Sequence, residues 1–351
     1  MAFGKIPWKQ VDEYLEKSVG KTFDTIFSTM DEQEGEVRSR IDAGLARGRD
    51  VLADEMISES ARKTALIGGG AALPDLLIVG GWPMMIASIG TDFTLTLREE
   101  LVLLNKLAYL YGMEADRTVR KREAIGLLAA VRASEGSPKG NATAEVTKLM
   151  AVMGAKHAST RLIVEIGRRF FQKKLVALIP GLGILLSGGV NYYSTKALGE
   201  YAKVYYRKQQ VGAPEVDDVL VRIQHFQKCF LKVMLNMAKV DRKVPPEEEE
   251  LLKDSLMMFG YTKEEKDSYL AELWNLEAAN PLTVDEVRAL SQEDRQYIFK
   301  QAVAMMLVDN HASEAEERYL DLLRKQMGVT EATVAKLRET VREELGQTAE
   351  G

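Results

Sequence analysis

The chain has one cysteine in 351 residues, Cys229. That excludes an internal disulfide framework and any cysteine-rich zinc site. Histidine is nearly as scarce. His157, His225 and His311 are widely separated, which argues against a histidine-based catalytic metal centre and against an assembled Ser-His-Asp set. Basic clustering of the kind that marks a nucleic-acid binder is also missing. Gly20-Lys21-Thr22 is not a phosphate loop, because Leu15 stands where the first glycine is needed. Gly181-Leu-Gly183 is not a dinucleotide fingerprint, because Leu186 replaces the third glycine. No secretory signal opens the sequence, so the expected location is cytoplasmic.

Apolar residues make up 46% and charged residues 28%, the balance of a chain that folds rather than stays disordered. At roughly 100–200 residues per domain the length allows two or three domains. The net charge of −5 is unevenly placed. Residues 1–213 hold 29 Lys and Arg against 24 Asp and Glu, and residues 214–351 hold 18 against 28. A basic half of +5 is therefore joined to an acidic half of −10, and two such surfaces suit different partners.

Periodicity is helical throughout and no strand series stands out, so an all-α fold is expected. Trp8, Val11, Leu15, Val19, Phe23, Ile26 and Met30 recur every three or four residues, the stripe of an amphipathic helix. That stripe reads as core packing or as a membrane-surface face. From Leu76 to Thr91 there are 16 residues without charge, interrupted by Gly80, Gly81 and Pro83. A spanning helix needs about 20 apolar residues in a row, and Gly with Pro breaks the run. A pair of short apolar helices is expected, followed by a regular helix from Asp92 to Tyr111. A second charge-free stretch of 21 residues runs from Leu175 to Thr195, broken by Pro180, Gly181 and Gly183.

Arg168, Arg169, Lys173 and Lys174 precede that second stretch, and Arg207 and Lys208 follow it. Apolar hairpins flanked by basic residues suit an anionic membrane surface. The membrane-contact set is Leu77, Ile78, Trp82, Leu178, Ile179, Leu182, Ile184 and Leu185 with Arg168, Arg169, Lys173 and Lys174. Their alternative is a buried Gly-rich hairpin with solvated cations around it. Three polar residues have structural readings. Asp92 caps a helix starting at Phe93 or pairs with Arg98. Asn191, inside an apolar stretch, needs its amide satisfied, by a hydrogen bond across to the facing hairpin or by a ligand.

Residues 209–215 read as a linker, dividing the chain into 1–210 and 215–351. The acidic half repeats itself at an offset of 68: Met237 to Leu252 aligns with Met305 to Leu320. Each copy is a helix, an acidic loop and a second helix, a pattern that packs as a pseudo-symmetric pair. Each loop carries an Asp and, seven residues later, a Glu: Asp241 with Glu248, and Asp309 with Glu316. Four converging carboxylates would suit Ca2+ or Mg2+. Alternatively Ser313-Glu-Ala-Glu316 is a capping box and Pro246 opens the next helix. His225 and Cys229, four apart, share a helix face but are too few to hold zinc.

These repeated acids make residues 215–340 similar to the TerB-like (tellurite-resistance) domain, whose Ala-Asp-Gly-x-x-x-x-Glu-Glu pattern is met twice. Arg242 and Asn310 stand where that pattern has glycine. The resemblance implies an all-α pseudo-repeat that binds a divalent metal and takes part in bacterial stress-response complexes at the membrane. Residues of about 60–210 resemble the EcsC family. The resemblance rests on the Gly-rich apolar run, Asp92 through Arg98 to Tyr111-Gly112, Ile179-Pro-Gly-Leu-Gly183, Gly189-Val-Asn191 and Ala202-Lys-Val-Tyr-Tyr206. That family is bacterial and associated with membranes and an ABC transporter system, with no established catalytic residues. Together the resemblances imply a non-enzymatic protein held peripherally on the inner face of the cell membrane. Its partners would be anionic lipid and a membrane-protein or stress-complex component. The rival expectations are a metal-dependent hydrolase of lipid or phosphate esters, and a soluble helical scaffold.

Overall fold

The computed structural model describes residues 7–32, 34–69, 73–113, 117–134, 164, 166–172, 174, 183–210, 216–241, 264, 267–268, 271, 282–307 and 312–344. Among them there is no strand, and the all-α expectation is met. The helices are α1 (Trp8–Glu32), α2 (Glu34–Gly44), α3 (Arg49–Gly69), α4 (Leu73–Leu110), α5 (Arg117–Ser134), α6 (Gly183–Gln210), α7 (Val216–Asp241), α8 (Val284–Arg288), α9 (Gln292–Leu307), α10 (Glu314–Met327) and α11 (Glu331–Glu344). A 3-10 turn, Leu45–Arg47, joins α2 to α3.

The described part of the α1 stripe faces inward, while the side chains of Val19, Phe23 and Met30 lie outside the description. Val11, Leu15 and Ile26 are buried and Trp8 packs against the core. α1 lies on α4, and α4 lies with α3 and α6 at the centre of the N-terminal half. The break expected at the Gly and Pro residues is present: two helical stretches meet at a kink within α4, and the second runs on through Asp92 to Leu110 without a further break. Gly81 has φ +63° and ψ −164°, a conformation open to glycine and hardly to other residues. Two residues later Pro83 lacks an N–H and crowds the preceding turn, so the break sits where the two occur together. Asp92 therefore lies inside α4 rather than at its start. Among the described residues no helix is long and apolar enough to cross a membrane.

The linker expected at 209–215 falls largely outside the described residues, but the helices on either side of it pack together. α6 packs against α7 and α9 as well as against α3 and α4. The Tyr192 ring stacks on Tyr297 at 3.8 Å and the Tyr193 ring on Phe226 at 4.3 Å. Lys196 reaches across to Asp294 at 2.7 Å and Glu293 at 3.3 Å. The buried apolar residues of both halves form one continuous cluster.

Close approach of α6 to α7 requires Gly189. A Cβ there would lie 2.3 Å from Cζ of Phe230, a buried ring stacked against Phe226. Gly189→Ala is expected to cost about 1–3 kcal/mol through overpacking, read as a lower urea midpoint. Adding Phe230→Leu to the same chain should recover part of that loss.

Candidate functional site

The N-terminal half is centred on polar groups. On α4, Asp92, Thr96 and Glu100 follow one another at i, i+4 and i+8, on one helix face. Ser60 and Thr64 on α3 and Asn191 and Thr195 on α6 have the same spacing of four. All seven are buried. Asn191 Nδ2 donates to Asp92 Oδ1 at 2.8 Å, to Thr96 Oγ1 at 3.0 Å and to the Thr64 carbonyl at 3.1 Å. Thr64 Oγ1 bonds Thr195 Oγ1 at 2.9 Å, and Thr195 Oγ1 donates to Glu100 Oε1 at 3.1 Å. The bonds run from helix to helix, so they hold three elements in one register.

Two cations complete this seam. Lys174 Nζ lies 2.6 Å from Asp92 Oδ2, and Arg132 Nη2, from α5, lies 2.6 Å from Glu100 Oε1. Burial pulls the Lys174 ammonium below the usual lysine range, and Asp92 opposes that shift. These two acids and two bases balance in charge, as buried ions must. Asn191 Oδ1 is left without a hydrogen-bond partner.

Several sequence expectations change here. Asp92 neither caps a helix nor pairs with Arg98. It meets Lys174, while Arg98 is exposed on the other side of α4. Lys174 is not a surface cation for lipid: it is 1% exposed and bound to Asp92. Arg168 pairs with Asp12 at 3.3 Å and sits over the Trp8 ring, and Arg169 donates to the Arg132 carbonyl. Trp82 is half-buried against the core. Leu77, Ile78, Ile184 and Leu185 lie on helices, with their side chains outside the description. Lys173, Leu178, Ile179 and Leu182 lie outside the described residues.

Of the expected metal ligands, Glu248 and Asp309 lie outside the described residues, and Asp241 closes α7 with its side chain undescribed. Glu316 is 1% exposed. Its Oε2 accepts the Ser313 N–H at 2.8 Å while Ser313 Oγ accepts the Glu316 N–H at 3.2 Å, the capping box read from the sequence. Glu316 Oε1 has no hydrogen-bond partner. Among the described residues no group of three or more acids, histidines or cysteines is placed to hold a metal. His225 and Cys229 do share a face. His225 Nε2 bonds the Glu286 carbonyl at 2.8 Å, and burial raises the Cys229 thiol to about 12.

Sequence comparison bears on this geometry directly. The model of the EcsC protein family matches residues 8–210, more than half of the chain. The chain belongs to the EcsC family. The model described as Protein of unknown function (DUF533) matches residues 124–341, also more than half, so the chain belongs to that family as well. No curated protein and no solved structure matches it. The polar seam falls within the EcsC match, and the two matches overlap over 124–210, where α6 lies. In the EcsC segment the sequence reasoning missed the seam. Its signal is the i, i+4 recurrence of polar residues within otherwise apolar helices.

A cleft of about 310 Å³ lies where α6 meets α7 and α9, lined in part by Lys196, Glu200, Arg222 and Asp294. Burial raises the Glu200 carboxyl above its usual range against the opposing pull of Lys196 and Arg222.

Two predictions follow from these buried charges. Asp92→Ala takes the carboxylate from the buried Lys174 ammonium and should cost about 3–5 kcal/mol, whereas Asp92→Asn with Lys174→Met should cost less than either change alone. A double-mutant cycle by chemical denaturation checks this. For Glu200 the folded pKa exceeds the unfolded one. Between the two values the native state holds the extra proton and stability falls as pH rises. Glu200→Gln should therefore raise Tm at neutral pH and leave it unchanged below about pH 4, under the ordinary glutamate value.

Proposed function

We propose that this EcsC-family chain is a non-enzymatic protein that docks on the inner face of the cell membrane. Its DUF533 segment, TerB-like in its repeated acids, would bind a divalent cation or a protein partner in a bacterial stress response. One observation carries the membrane reading. Leu66 on α3 and Met84 and Leu95 on α4 are 71%, 47% and 42% exposed, beside the Gly-rich apolar segment, although the core within is closely packed. Leu95 shares a groove with Ile67 and Val102, and apolar side chains that lie together at a surface mark a contact site.

The cation reading is supported by the free Oε1 of Glu316, a buried carboxylate oxygen without a partner. Such an oxygen is a hard donor of the kind Ca2+ and Mg2+ take. Two side chains of the kind that serve as base or nucleophile are otherwise engaged. His225 is bonded to a backbone carbonyl, and the Cys229 thiol is held protonated by burial.

Flotation with phosphatidylglycerol vesicles tests docking. The full chain should float with them, float less as salt rises, and stay down with phosphatidylcholine. Calcium tests the acidic half. It should raise the Tm of the wild type and not that of Asp309→Asn with Glu316→Gln. Glutamine still serves a capping box, so that variant loses charge without losing the cap. Metal-dependent turnover of phosphodiester or lipid-ester substrates would replace this reading with the hydrolase.

A further inference from the structure

A groove of about 330 Å³ lies between α2, α3 and α4, clear of the polar seam. That is the lower end of the range for small-molecule sites. Its wall mixes two chemistries. Ile67, Leu95 and Val102 give an apolar strip, and Lys63, Arg98 and Lys106 bring cations to its edge. With Arg40 the lining holds four cations against two carboxylates, Glu36 and Glu99.

The cations are not equally engaged. Arg40 and Lys63 share Glu59, at 2.8 Å and 3.0 Å, and Glu99 lies 3.6 Å from Lys63. Lys106 and Arg98 make no ion pair with any described residue. Lys106 is half-buried, and loss of water there pulls its ammonium below the usual lysine range. A cation that has lost solvent and gained no carboxylate is an open position for an anion.

A largely uncharged strip continues beyond the groove toward Met84, and its exposed hydroxyl, that of Thr91, donates to the Ala87 carbonyl at 2.9 Å. Met84, Thr91, Leu95, Arg98 and Val102 follow at helical spacing along the outer face of α4, from near the Gly81 kink to the level of Lys106. Leu66, the chain neighbour of the lining residue Ile67 on α3, is 71% exposed. A charged end and an apolar track leading toward the Gly-rich segment match an amphiphile with an acidic head.

We infer that this groove holds the acidic head of an anionic membrane lipid between Lys106, Arg98 and Lys63, with an acyl chain laid along Leu95 toward Met84. The inference rests on the membrane-docking reading for the source of the ligand.

Dodecyl phosphate below its micelle threshold is the probe, added to the full chain in a calorimeter. Inorganic phosphate supplies the head alone and dodecyl maltoside the chain alone. Dodecyl phosphate should bind at least about tenfold more tightly than either, and Arg98→Gln with Lys106→Gln should weaken it by at least about tenfold. The same double variant should melt no lower than the wild type, since it removes a half-buried cation that has no ion-pair partner among the described residues. Equal affinity in variant and wild type, or inorganic phosphate binding as well as dodecyl phosphate, would overturn the assignment. If the wild type floats on phosphatidylglycerol vesicles but does not bind dodecyl phosphate, the groove fails and docking stands. If dodecyl phosphate binds as expected but the vesicles do not float the chain, the groove stands and docking fails.

Discussion

Helices as apolar as α3, α4 and α6 have many ways to slide and rotate against one another, because hydrophobic contact has little directional preference. The Asp92–Lys174 and Glu100–Arg132 pairs remove that freedom. A buried ion pair contributes little net stability, since desolvation takes back most of the attraction. Its force lies in what a wrong register would do. Shifting α4 by one residue would take Asp92 and Glu100 from the cations they face. The hydroxyl and amide groups of Thr64, Thr96, Asn191 and Thr195 tie the same register across the helix pairs. The position of every other N-terminal helix is set relative to this centre.

α6 carries that order into the other half. Asn191 and Thr195 turn toward the seam, while their neighbours Tyr192, Tyr193 and Lys196 meet α7 and α9. One helix thus joins the two halves of a continuous core. The two family matches overlap over 124–210, a range that includes α6. The acidic half is docked through aromatic stacking and a lysine bridged to two carboxylates, so a disturbance on one side of α6 bears on the other.

Local features were legible in the sequence. The α1 stripe, the break near Pro83 and the Ser313–Glu316 capping box all depend on residues within a few positions of each other. Asp92 shows where such reading stops. A lone acid at the edge of an apolar run looks the same whether it caps a helix or faces a cation, and Lys174 is distant in the chain. Lys174 was equally misleading among Arg168, Arg169 and Lys173, because clustering in sequence does not tell which member turns inward. Residues 209–215 have a linker's composition, but composition reports how the chain bends, not whether the helices it joins are packed together. The acidic loops remain legible mainly through Glu316, whose cap geometry and free oxygen are both present.

Cys229 gives the molecule an internal clock. It is the single thiol of the chain, fully buried on α7 beside His225, and burial holds it protonated. A thiol reagent in water can reach it only when α7 parts from its neighbours, because the thiolate is the reacting form and needs solvent to exist. The rate of modification under native conditions therefore counts how often that helix opens. No engineered label is needed, and the count is taken close to where the two halves join.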